Sequence, residues 1–214
     1  MIIFDWDGTL CDSVSHIVKA VQSTAATMGL PVPDDAAAAN IIGLGLPQAM
    51  AKLFPELDEQ EIAALIDGYS GQYVATESSP PRLFRGAMTT LNTLKQRGLE
   101  VAVATGKSRR GLERMLDVHG LTDFFHATRC AEETRSKPDP LMIEQIMAER
   151  AVLPEQVIVV GDTEYDLEMA ANAGVASIGV SFGAHSAARL RRHQPLAIVD
   201  DLRQLLDLPA LSRR

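Results

Sequence analysis

Two carboxylates end the first apolar run of this chain: Met1-Ile2-Ile3-Phe4 gives way to Asp5-Trp6-Asp7-Gly8-Thr9. An Asp-Gly pair ordinarily marks a turn, but a strand ending here would also carry Asp5 to a sheet edge where a ligand could react with it. Three later stretches hold polar groups of the same kind. Thr105-Gly106-Lys107 follows one apolar run and Gly161-Asp162-Thr163-Glu164-Tyr165-Asp166 another, while Ser136-Lys137-Pro138-Asp139-Pro140 sets a lysine in a loop framed by prolines. Each is ordinary alone: a lone Asp at a strand end usually caps a helix, and a lone loop Lys is usually solvated. Brought together, Asp5, Asp7, Asp162 and Asp166 would put four negative charges in one crevice, which is unfavourable without a cation or shared protons. A divalent ion and one ammonium supply that compensation. Oxygen donors suit Mg²⁺, and the five histidines and two cysteines show no zinc-ligand spacing.

These residues share an edge only if parallel strands deliver them. Short apolar runs at 99–105, 156–162 and 175–181, with weaker ones at 124–129 and 196–199, alternate with segments at 86–98, 108–120, 139–151 and 163–174 whose apolar residues recur at three and four. That alternation predicts a doubly wound α/β fold, a Rossmann-like parallel sheet covered by helices, whose ligands bind outside the carboxyl ends of the strands. Residues 14–79 break the pattern. They are Ala-rich and helical, without a convincing strand, and end at Ser78-Ser79-Pro80-Pro81. We therefore expect an α/β core of residues 1–13 and 80–214, and a small helical domain, 14–79, inserted after the first strand.

At 214 residues the chain can bury a full core without disulfides, and Cys11 and Cys130 read as ordinary thiols of a reduced, cytoplasmic protein. No apolar run approaches bilayer length and no leader pattern opens the sequence, so a membrane partner is not expected. A formal charge of −8 argues against nucleic acid as a partner. A monomer or homodimer acting on a small molecule is the expectation.

In order and spacing, DWDGTLCDS, ATGKS, SKPDP and GDTEYD resemble the four motifs of the haloacid dehalogenase superfamily, in particular its phosphatase branch with a small helical cap, of which phosphoglycolate phosphatase-like proteins are a subgroup. The resemblance covers nearly the whole chain. It implies a Mg²⁺-dependent phosphatase acting on a small phosphorylated metabolite, phosphoglycolate-like or a sugar phosphate, through an aspartyl-phosphate. It makes Asp5 the nucleophile and Asp7 the acid and base. It assigns metal ligation to the Asp5 and Asp162 carboxylates and the Asp7 main-chain carbonyl, with Asp166 in support, and phosphoryl binding to Thr105, Gly106 and Lys137. The chemistry agrees: a carboxylate can accept a phosphoryl group, dividing one hard step into two, and Asp7 can face the same side as Asp5 in an extended segment.

Other residues take milder readings. Asp12 and Ser13 are expected to start the first inserted helix, Thr163 to cap the helix after it, and Arg109 and Arg110 to lie in solvent. Gly43-Leu44-Gly45-Leu46-Pro47 reads as a turn, although related caps reach the site with such a loop. Trp6 stands where the family often has a smaller residue, and Arg85 where it often has proline. A phosphomutase of the same superfamily and a receiver-type phospho-acceptor domain are the alternatives; dehalogenation needs no second acid such as Asp7.

Overall fold

A computed structural model describes residues 1–75 and 80–211. Six strands form one parallel sheet: β1 (Ile2–Phe4), β2 (Val101–Thr105), β3 (Ala127–Cys130), β4 (Ile158–Gly161), β5 (Ala176–Val180) and β6 (Ile198–Val199), in the order β3-β2-β1-β4-β5-β6. The three strong runs and both weaker ones are strands. β1 lies at the centre, with Ile2 level with Val101 on one side and Ile158 on the other, so its chain order reverses there and a ligand crevice opens at its carboxyl end.

Side-chain alternation divides the buried residues of β1 between two layers. Ile2 and Phe4 join Val101, Val103 and Leu91 on one face, whereas Ile3 joins Ala102, Val159, Ile143 and Ile146 on the other. The first face is covered by α5 (Ala87–Gln96) and α6 (Arg109–Val118), and the second by α7 (Leu141–Arg150) and α8 (Glu164–Asn172). Burying one such aliphatic side chain contributes about 1.5–3 kcal/mol, and a one-residue slip of β1 would exchange both layers and move Asp5 off the edge.

Between β1 and α5 the described residues form four helices, α1 (Val14–Thr27), α2 (Asp35–Ala39), α3 (Leu46–Leu53) and α4 (Glu59–Ala75). They share a separate apolar cluster that includes Ile17, Val21, Met50, Leu65 and Tyr69. No strand occurs among the described residues of this insertion, and Ser78 and Ser79 of the expected boundary lie outside them. A short helix, α9 (Ala187–Leu190), packs against α8 and β5. Among the described residues no helix is long and apolar enough to cross a membrane.

Candidate active site

The strand ends do converge. A main-chain hydrogen bond from the Asp5 N–H to the Val160 carbonyl, 2.9 Å long, carries the pairing of β1 one residue beyond the strand and holds Asp5 at the sheet edge. The Lys137 ammonium donates to Asp5 Oδ1 at 2.5 Å and to Asp166 Oδ1 at 2.6 Å, with all three side chains at most 1 % exposed. Asp166 Oδ2 accepts from the main-chain N–H and hydroxyl of Thr163, at 3.0 and 2.6 Å, which closes a capping box at the start of α8. The expected Thr163 N-cap thus also orients a carboxylate of the cluster. Asp162, just past β4, accepts from the Thr9 hydroxyl at 2.9 Å and the Ala184 N–H at 2.7 Å.

One buried oxygen differs from these: Asp5 Oδ2 has no hydrogen-bond partner among the described residues. Burial pushes the Asp5 carboxyl well above the ordinary carboxylate range; Lys137 opposes the shift, and the charges of Asp166 and Asp162 reinforce it. Asp162 is pushed up to about 7, by burial first and by Asp166 second. Lys137 keeps its charge despite burial because Asp166 and Asp5 raise its pKa.

Asp7 faces a different partner. Its carboxylate accepts from the Lys107 ammonium at 3.1 Å through Oδ1 and pairs at 3.0 Å through Oδ2, and it accepts from the Ser13 hydroxyl at 2.7 Å. Ser13 stands at the N-cap of α1, but its side chain makes no capping bond there; it holds Asp7 instead, where the sequence suggests a cap or hinge. Lys107, assigned no role by its sequence context, is the site cation that sequence reasoning misses. Its signal is position, two residues past the end of a buried strand. Burial disfavours its charge, yet Asp7 raises its pKa overall. Four carboxylates therefore meet two ammonium groups, and one divalent ion would bring the set to neutrality.

Thr105 closes β2 with its hydroxyl accepting from the Lys107 N–H at 3.2 Å. Beside it, a Cβ on Gly106 would lie 2.4 Å from the Leu44 carbonyl and 2.6 Å from that of Gly43. The 43–47 segment therefore does reach the strand ends, and the Gly45 N–H donates to the Ser136 hydroxyl at 2.8 Å beside Lys137. Other inserted residues grip α8 and α9: Lys52 donates to the Tyr165 hydroxyl, which donates to the Asn40 carbonyl, and Arg189 pairs with both Asn40 and Glu164.

The milder readings resolve as follows. Arg109 turns away to Glu133 and Thr128, while exposed Arg110 lines the cavity above the strand ends. Trp6 points opposite to the acids into the apolar layer, 6.2 Å from the His119 ring and 6.4 Å from that of Phe125. Arg85 is exposed. Burial raises the Cys11 thiol to about 12, so it remains an ordinary thiol.

The donor set fits a hard divalent ion. One carboxylate oxygen each from Asp5, Asp162 and Asp166 lies within 4.8 Å of the others, all buried, and one oxygen of Asp5 is unpartnered. The space beside Asp162 is closed to side chains: a Cβ on Gly8, which has φ +86°, or on Gly183 would fall 2.2 Å from Asp162 Oδ2. Glycine meets both demands at position 8, the left-handed backbone and the close approach.

Curated relatives and solved structures are similar to this chain along nearly its whole length. A phosphoglycolate phosphatase of Agrobacterium fabrum is 33 % identical over 100 % of this chain and 93 % of its own length. One from Vibrio vulnificus is 28 % identical over 99 % of this chain and 96 % of its own. The structure of a haloacid dehalogenase-like family hydrolase from Streptococcus pneumoniae superposes with a TM-score of 0.83 at 26 % identity, covering 96 % of each chain. The model of the haloacid dehalogenase-like hydrolases matches residues 2–180, every strand described here but the last. The family match over most of the chain and the identity to a curated relative over its whole length agree, and the chain belongs to the haloacid dehalogenase-like hydrolase family.

Proposed function

We propose that this hydrolase is a Mg²⁺-dependent phosphatase that cleaves a small phosphomonoester metabolite through an aspartyl-phosphate on Asp5. The observation that carries the reading is the asymmetry of Asp5: Oδ1 is held by Lys137, whereas Oδ2 is buried and unpartnered. The curated relatives named as phosphoglycolate phosphatases support the same reaction class, and membership of a hydrolase family sets the receiver-type alternative aside.

Asp5 Oδ2 attacks phosphorus, the bond from phosphorus to the leaving oxygen breaks, and Asp7 in its acid form gives its proton to that oxygen. Asp7, now a carboxylate, takes a proton from water. The water oxygen attacks phosphorus, the bond to Oδ2 breaks, and inorganic phosphate leaves. Lys107 and Ser13 hold Asp7 in place between the two steps, Lys137 offsets charge on Asp5, and the Thr105 hydroxyl and Gly106 N–H face the phosphoryl oxygens. The Asp5 and Asp162 carboxylates and the Asp7 carbonyl would hold Mg²⁺, with Asp166 in support. The ion supplies charge neutralisation at the phosphoryl oxygens when bound. Residues 14–79 act as a cap on the core of 1–13 and 80–214, excluding bulk water through the 43–47 segment.

Phosphate release should be measured across phosphoglycolate, sugar phosphates, nucleotides and pyrophosphate, with Mg²⁺ and with chelator, beside Asp5→Asn. We expect release that needs both Mg²⁺ and Asp5. Release that survives in chelator or in Asp5→Asn would overturn the mechanism, and transfer to a second sugar in place of release would identify a mutase.

A further inference from the structure

The cavity over the strand ends has a volume of about 720 Å³, within the roughly 300–1,000 Å³ that enclose most of a drug-sized ligand. One wall is polar and belongs to the core: Asp5, Asp7, Thr105 and Lys107, with Arg110 and Arg114 farther along α6. The opposite wall comes from the insertion and is of another character. Ile17, Val21, Ile42, Leu46, Ala49 and Met50 form its body beside Tyr69, Ser70 and Tyr73, and the inserted residues lining the cavity include no Lys, Arg or His among the described residues. The one charged side chain they contribute is a carboxylate, Asp67. Of the core's cations, Lys107 is engaged with Asp7, Arg114 lies over the Tyr73 ring, 5.8 Å from its centroid, and Arg110 is exposed to water, where an ion pair contributes little.

With phosphorus against Asp5, the leaving group extends towards the insertion. A leaving group with its own carboxylate, as in phosphoglycolate, would exchange water for an aliphatic wall that offers no cation. Burial of an uncompensated charge is strongly unfavourable, whereas an apolar body gains from the same wall. A small polar sugar would gain little from the aliphatic part of that wall.

Resting on the phosphatase reading of the site, we propose that the preferred substrate is a monoester whose leaving group is uncharged and built around an apolar ring or branched alkyl body. Leu46 and Ala49, on α3, select it.

The test compares kcat/KM for benzyl phosphate and isobutyl phosphate with that for phosphoglycolate and glucose 6-phosphate, under saturating Mg²⁺. All four leave as alkoxides of ordinary alcohols, so the comparison reports the pocket more than leaving-group activation. The two apolar esters should exceed both polar ones by at least tenfold. Ala49→Phe, which fills the cavity, and Leu46→Gln, at a half-buried position tolerant of a polar group, should each lower the benzyl to phosphoglycolate ratio at least fivefold. Binding of benzylphosphonate, followed by calorimetry, should weaken in parallel in the same variants. Asp5-dependent release that favours phosphoglycolate or glucose 6-phosphate would overturn the preference and leave the phosphatase reading standing. Release from any ester that persists in Asp5→Asn, or no release from all four, would overturn the reading beneath it, and the inference with it.

Discussion

Replacing Lys137 with Met removes the ammonium shared by Asp5 and Asp166 while keeping most of the side chain's bulk. In the wild type, Nζ lies 2.5 and 2.6 Å from the two carboxylates with all three groups excluded from water. Removing one partner of such a buried set ordinarily costs about 3–5 kcal/mol, because the remaining charge has neither water nor a counter-ion. The cost should depend on pH. Burial already holds the Asp5 carboxyl well above its unfolded value, and Lys137 is what opposes that shift. In the variant the folded pKa of Asp5 rises further. Folded protein then binds a proton that the unfolded chain has released, so stability falls as pH climbs from about 4 through the raised value, and recovers on acidification. Urea unfolding in chelator should show a loss of about 3–5 kcal/mol at pH 8, smaller at pH 5 by at least about 1.4 kcal/mol, the equivalent of one pKa unit. Phosphate release should fall on the order of 10²–10³-fold, as for removal of a preorganised electrostatic group. A loss under about 1 kcal/mol at pH 8, in the range of an exposed ion pair, or one equal at both pH values, would refute the assignment of Lys137 as the counter-ion of Asp5.

Three further outcomes are expected. Because Asp162 titrates at about 7 by burial and the charge of Asp166, Mg²⁺ must displace its proton below neutrality; apparent affinity should fall on the order of 100-fold from pH 8 to pH 5, roughly 2.7 kcal/mol, and equal Mg²⁺ midpoints in thermal unfolding at the two pH values would contradict this. Gly106→Ala drives a methyl into the Leu44 and Gly43 carbonyls, which must displace the 43–47 segment; KM should rise more than kcat falls, and unchanged steady-state constants would show that this contact is incidental. Lys107→Met leaves Asp7 with Ser13 as its remaining partner in the site, and kcat should drop about tenfold or more with a shifted pH–rate profile; a wild-type profile would separate Lys107 from the proton transfer.

Much of this chain is legible from short-range pattern. Buried parallel strands need continuous apolar runs, so Val101–Thr105 and Ile158–Gly161 announce themselves, and the polar residue that ends each run marks the sheet edge where Asp5 and Asp162 stand. β6 is harder to read, since its two strand residues carry little periodic signal. The helical nature of 14–75 follows from composition because no β-branched alternation competes with it.

By itself the sequence singled out the polar residues that the fold brings together: two acids after β1, a threonine after β2, a lysine among prolines and two acids after β4, in an order that resembles one family. Tertiary structure alone decided how those charges pair. Asp5 and Asp7 are two residues apart, yet one answers to Lys137 and the other to Lys107, because the chain bends at Trp6 and the two carboxylates meet different loops, brought in from positions about a hundred or more residues away. The same holds for Ser13, whose hydroxyl serves Asp7 in place of its own helix, and for the aliphatic wall opposite. Most of its residues also pack in the apolar cluster of the insertion, and they line a pocket only because the insertion folds back over the strand ends.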